Sequence, residues 1–213
     1  MKRKERFEKV VGWFTLNMPV AETELHYHDP YQLMVAVILS AQCTDKRVNL
    51  LTPPFFERFP DLTSLAAASQ EEVFHLIRSC SYPNNKSRHL TGAARHILEH
   101  YNGEIPDEVD QLMTIPGIGR KTANVIASVA FNRQALAVDT HVHRVAARIG
   151  LTHRARNPLE TEKQLVAHLP GNLLSVAHHW LILHGRYVCK ARKPDCEACG
   201  LREFCKYFGE KNG

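Results

Sequence analysis

Apolar residues return at helical spacing along nearly the whole chain, and the strict alternation of a half-buried strand is almost absent. Phe7, Val10, Val11 and Phe14 line one face of an N-terminal helix. Asp29-Pro30 supplies an N-cap and an N1 proline ahead of Leu33, Val37 and Ile38. Ser69 and Glu72 form a capping-box pattern before Val73, Phe74 and Ile77. A third such helix is expected from about Ser87 to Tyr101, with Gly103 as its C′ residue. Pro106 and Asp107 open a short helix ending near Met113, and another runs from about Arg120 to Phe131. Asp139 or Thr140 caps the next, which stops at Gly150. Asn157-Pro158 begins one more, and a last long helix spans roughly Leu173 to Tyr187. There is no internal repeat and no low-complexity linker, and the connections are short. The expected class is all-α.

Composition changes this picture little. A length of 213 residues allows one large or two small domains. Hydrophobic residues at 44% can fill a core, and 23% charged residues mark a globular rather than a disordered chain. The net charge of +5 leans mildly toward a polyanionic partner. The longest apolar run, Leu33 to Leu39, is far short of the roughly 20 residues a membrane span needs. Met1-Lys2-Arg3-Lys4 resembles the start of a signal peptide, but Glu5 and Glu8 follow, and Thr15 and Asn17 break the apolar stretch. The sequence therefore predicts a cytoplasmic protein with no membrane partner. The sequon Asn85-Lys86-Ser87 carries no weight without a secretory signal.

Cysteine placement changes the picture more. Four of six cysteines close the chain as Cys189, Cys196, Cys199 and Cys205, spaced C-x6-C-x2-C-x5-C. A disulfide framework needs an oxidising compartment, which nothing here indicates. Structural zinc sites usually pair two C-x2-C knuckles across a longer loop, and only one x2 pair is present. Four thiolates within 17 residues suit a compact [4Fe–4S] cubane, although the spacing differs from the ferredoxin run. Spacing leaves iron–sulfur and zinc both open, with iron–sulfur favoured. Lys190, Arg192 and Lys193 lie between the first two cysteines. They either contact phosphate or offset the charge of a thiolate-ligated centre. Cys43 and Cys80 stand apart and read as buried structural thiols.

A second motif is Ile115-Pro116-Gly117-Ile118-Gly119-Arg120-Lys121, between two short helices. Two glycines permit backbone geometry closed to other residues. The amides of the following helix start could then hold a phosphate without reading a base. The bland alternative is a plain tight turn. Lys121 falls in the first turn of that helix, where the dipole disfavours an ammonium. A neutral lysine is a nucleophile able to form a Schiff base; otherwise Lys121 touches phosphate as Arg120 would. Asp139 follows 18 residues later in Val138-Asp139-Thr140-His141. It reads as an N-cap, as a carboxylate stabilising a cationic sugar, or as both.

Taken together, these stretches resemble the endonuclease III family of helix–hairpin–helix DNA glycosylases over essentially the whole length. The resemblance rests on Leu39-Ser40-Ala41-Gln42-Cys43-Thr44-Asp45, Pro116–Asn124, Val138–His141, His179-Trp180-Leu181-Ile182-Leu183-His184-Gly185-Arg186 and the four cysteines. It implies two helical lobes with an intervening cleft. One is a six-helix barrel over residues 23–134; the other joins residues 1–22 and 135–213 around a [4Fe–4S] cluster held by the four cysteines. It implies a monomeric DNA glycosylase and abasic-site lyase of base excision repair, acting on double-stranded DNA with damaged bases or abasic sites. Oxidised pyrimidines would be flipped out of the duplex. Lys121 would match the nucleophile and Asp139 the essential carboxylate. Gln42 would fill the gap left by the flipped nucleotide. Gly117, Gly119, Arg120, Arg192 and Lys193 would meet the DNA backbone.

The wedge loop departs from the family pattern of Gly-aliphatic-aromatic before Asn or Arg and Lys-Ala. Here it reads Ser81-Tyr82-Pro83-Asn84-Asn85-Lys86-Ser87, with Tyr82 at the wedge position. An aromatic can stack on an orphaned base, and Pro83 would stiffen the loop. The nearest alternative is a monofunctional adenine, thymine or uracil mismatch glycosylase of the same superfamily. Those lack a lysine matching Lys121, and the adenine enzymes place a glutamate near Leu39–Gln42, where this chain has none. A non-catalytic DNA-binding module would not need both Lys121 and Asp139.

Overall fold

Side-chain caps set most of the helix starts. The computed structural model describes residues 1–212, and among them are twelve α-helices, two 3-10 turns and no strand. Asp29 accepts from the Gln32 amide (2.8 Å) and starts α2, Pro30–Ser40, with Pro30 at N1. Thr44 caps α3, Asp45–Arg58. Reciprocal capping boxes start α4, Leu62–Ala67, from Asp61 and Ser64, and α5, Gln70–Ile77, from Ser69 and Glu72. Asp139 rather than Thr140 caps α9, Thr140–Ile149, and Asn157 caps α10, Pro158–Val166. Each such cap contributes about 1 kcal/mol.

The remaining helices are α1, Arg3–Asn17; α6, Pro83–His100; α7, Val109–Leu112; α8, Arg120–Phe131; α11, Leu174–Tyr187; and α12, Lys206–Asn212. Three expectations shift. The helix expected from Ser87 begins at Pro83, because proline at N1 needs no amide partner and pre-sets φ. The helix expected from Pro106 begins at Val109, after extended Glu108. Before α11 a 3-10 turn takes up Gly171–Leu173. Helix α3 is not predicted by periodicity at all, because Pro53 and Pro54 inside it read as a break.

Contacts divide the chain into two compact units: Thr23–Arg133, and Met1–Glu22 together with the chain from Gln134 onward. The first is built around α2. Leu33 through Leu39 are all buried, so this helix is apolar on every side and packs against α3, α6 and α8. In the second unit Phe7, Val10 and Phe14 of α1 meet Val142, Val145 and Ile149 of α9 and Trp180 and Leu181 of α11. Phe14 stacks on Trp180 at 5.4 Å, and the Trp180 indole donates to the Met18 carbonyl at 2.7 Å. Burial of each large side chain stabilises by roughly 1.5–3 kcal/mol.

Candidate active site

The hairpin before α8 is anchored by buried Ile115 and Ile118, which leave Pro116, Gly117, Gly119 and Arg120 exposed. Gly117 has φ +82, and a Cβ there would lie 2.6 Å from the His89 Cβ of α6. Both backbone and packing therefore require glycine. Gly119 corrects the expectation that both glycines adopt special geometry. Its φ is −88° and ψ 173°, ordinary extended backbone, because it is the N-cap of α8. A Cβ at Gly119 would meet nothing within 4 Å. No side chain caps α8, the arrangement in which a helix start offers its amides to an anion. Lys121 is half-buried in the first turn of α8.

Two further loops of the same unit carry Gln42 and Tyr82. Both are exposed, and both are left-handed, with φ 53 and φ 54. A non-glycine residue held there costs roughly 1–2 kcal/mol, so the surroundings must enforce it. The Ser81 hydroxyl donates to the Gln42 carbonyl. Lys86, in the first turn of α6, sends its ammonium to the carbonyls of Leu39 (2.8 Å) and Ala41 (2.7 Å) and to the Cys80 thiol (3.2 Å).

Asp139 lies in the other unit, at the start of α9. Its Oδ1 accepts from the amides of His141 and Val142, each at 2.8 Å, and His141 Nδ1 lies 3.1 Å from Oδ2. Burial pushes this carboxyl's pKa up. The Val142 amide, the His141 side chain and nearby His178 outweigh it and hold the pKa below the usual aspartate value. Asp139 is thus both cap and fixed anion, with its side chain 20% exposed.

All four C-terminal cysteines line one cavity, walled by Ile149, His184, Val188, Leu201 and Phe208 among others. The Cys189 amide donates to the His184 carbonyl at 2.7 Å, and His184 Nε2 lies 3.5 Å from the Cys199 sulfur. Burial pushes the Cys199 and Cys205 thiols up, and the neighbouring thiols add to it in both cases. Four clustered thiolates need a strongly cationic centre to hold them together. Among the described residues no three His, Cys, Asp or Glu side chains converge on a point for a single ion. The sulfurs instead ring a cavity, which suits a multi-iron core better than tetrahedral zinc at about 2.3 Å from each sulfur.

Arg148 of α9 holds the basic loop by donating to the carbonyls of Lys190 (2.8 Å) and Ala191 (2.7 Å). Arg144 donates to the carbonyls of Gly185 and Cys189. Arg192 and Lys193 are left exposed on that loop. Gly200 packs on Trp13 of α1, where a Cβ would come within 2.4 Å of the indole.

These sites lie within matches to known families. Residues 35–170 match the model of the HhH-GPD superfamily base excision DNA repair protein, and residues 189–205 match the iron–sulfur binding domain of endonuclease III. Endonuclease III of Rickettsia felis is 42% identical over 200 residues, covering 94% of this chain and 93% of the relative. The chain belongs to the endonuclease III family. Endonuclease III of Bacillus subtilis is 44% identical over 188 residues, covering 88% of this chain and 86% of the relative. A solved endonuclease III, trapped as a covalent intermediate with DNA, superposes with a TM-score of 0.93 at 40% identity, covering 99% of each chain. This family member is accordingly a base-excision repair enzyme, a DNA glycosylase and abasic-site lyase whose partner is DNA and whose cofactor is a [4Fe–4S] cluster. No helix among the described residues is long and apolar enough to cross a membrane.

Sequence reasoning missed Lys86, Ser81, His141, Arg144 and Arg148. Arg144 and Arg148 share a face of α9 at i and i+4, a detectable signal. Lys86 falls where the family pattern has a lysine, but a lysine destined for burial looks like any surface lysine, and nothing in the sequence marks it as buried.

Proposed function

We propose that this enzyme removes oxidised pyrimidines from duplex DNA through Lys121. The supporting observation is the half-buried position of Lys121 in the first turn of α8, directly after a hairpin that leaves Gly117, Gly119 and Arg120 exposed. Those exposed groups and the uncapped start of α8 would hold the phosphate backbone. The neutral amine of Lys121 would be the nucleophile. Its Nζ attacks C1′ of the flipped nucleotide. The N-glycosidic bond breaks, and the base leaves with the bonding electrons and a proton. Ring opening yields a Schiff base between Nζ and C1′. A proton leaves C2′, and the C3′–O bond breaks by β-elimination, cutting the strand 3′ to the lesion.

Asp139, ionised and held by two amides, would stabilise the cationic sugar and then assist proton transfer. Gln42 and Tyr82 would enter the duplex, Gln42 in the space the nucleotide leaves and Tyr82 stacked on the orphaned base. Cys189, Cys196, Cys199 and Cys205 would hold the [4Fe–4S] cluster, which cross-links the segments on either side of the basic loop. Arg192 and Lys193 would contact phosphate. The enzyme would act as a monomer, with Thr23–Arg133 as the hairpin-bearing domain and the remainder as the iron–sulfur domain.

Borohydride reduction tests the lyase chemistry. Thymine-glycol and abasic duplexes should each give a covalent protein–DNA adduct that Lys121→Ala abolishes. Absence of any wild-type adduct on both substrates would overturn it and return attention to a monofunctional glycosylase.

A further inference from the structure

We infer that Lys86 is a positioning residue for base excision, which sets the spacing of the two loops that carry Gln42 and Tyr82. This rests on the proposal that those two side chains enter the duplex.

Lys86 is 4% exposed, unusual for its residue type. An ammonium has three donors and no acceptor. Here the three find three acceptors: the carbonyls of Leu39 and Ala41 and the sulfur of Cys80. The carbonyls belong to the end of α2 and its C-cap residue, where a cation also complements the helix dipole. Gln42 is the next residue after Ala41, and Cys80 lies two residues before Tyr82. A single head group therefore grips both loops beside their left-handed residues. The Ser81–Gln42 hydrogen bond is a second tie across the same pair of loops.

A purely structural role explains this less well. An apolar side chain would fill the space without the desolvation an ammonium costs. What it could not do is hold the two backbones at one separation. Duplex probing needs that separation, because the space left by the flipped nucleotide and the stack around the orphaned base are a fixed distance apart. Misplacement of such groups by about 1 Å can lower a rate about a hundredfold.

The test compares two substrates. Excision of thymine glycol from duplex DNA needs both loops, whereas β-elimination on an abasic single strand does not. Lys86→Met should lower kcat for excision by about 10- to 100-fold with KM within about threefold, while single-strand β-elimination stays within about twofold. The double variant Lys86→Met with Gln42→Ala should lose clearly less than the product of the two single losses, because Lys86 acts partly through Gln42. Excision within about twofold of wild type would overturn the proposal, as would equal loss on both substrates or full additivity with Gln42→Ala. If Lys86→Met does not fold, Ser81→Ala decides. It should lower excision at least about threefold and spare the single strand; unchanged excision overturns the proposal. Unchanged excision in both Gln42→Ala and Tyr82→Ala would instead sink the assignment of those residues as probes, a failure separable from that of Lys86.

Discussion

Asp139 caps α9, and the catalytic role proposed for it can be separated from that cap. Asparagine caps a helix about as well as aspartate. Asp139→Asn should therefore keep DNA binding and melt near wild type, yet lose base excision by at least about a hundredfold. Asp139→Ala should lose excision and also about 1 kcal/mol of stability. The carboxyl's folded pKa is depressed, so its contribution is fully present above the unfolded value of about 3.9 and is lost as pH falls through the folded one. Acid melts of wild type and Asp139→Ala should accordingly draw together below that range; a gap that widens in acid would contradict the sign. Gly117 supplies a second residue-scale outcome. Gly117→Ala must bear positive φ and a 2.6 Å approach to His89. It should cost at least about 1–2 kcal/mol, seen as a Tm lower by roughly 2–4 °C per kcal/mol.

At the scale of elements, local chemistry explains what could be read in advance. Helix α2 is legible because Asp29-Pro30 and an unbroken apolar run agree. Helix α9 is legible from Asp139 and Gly150 at its ends. Helix α3 is not, because its two prolines argue against the tertiary packing of Val48, Thr52 and Phe55 that holds it. The hairpin is legible as a motif, but the geometry of Gly119 is not, since an N-cap glycine and a left-handed glycine look alike in sequence. Lys121 and Asp139 stood out through their motifs. Lys86 did not, because its partners, two carbonyls and the Cys80 sulfur, are brought to it only by the fold. The basic loop gives the element-scale prediction. Arg148 fixes its backbone and leaves Arg192 and Lys193 outward. Replacing both with alanine should weaken binding to all DNA sequences and flatten the log K–log salt slope by about 2. An unchanged slope would remove the loop from the DNA interface.

Across the whole molecule, two separately built cores carry the residues assigned to the proposed reaction. The unit Thr23–Arg133 holds Lys121, Gln42 and Tyr82 on helices packed around α2. The other holds Asp139 and the cysteines on α9, α11 and the segment docked by Gly200 on Trp13. A cysteine-held centre should therefore matter most to the second core. Cys199→Ser should lose visible iron–sulfur absorbance and raise amide exchange in α9 and α11 while sparing α2 and α8. Uniform exchange throughout would contradict two independent cores. The most direct test concerns the reacting atom itself. Borohydride-trapped wild-type protein on abasic duplex should be digested and sequenced by mass spectrometry. The reduced sugar adduct is expected on Lys121 Nζ; an adduct on the N-terminal amine or any other lysine would contradict the Schiff base assigned to it.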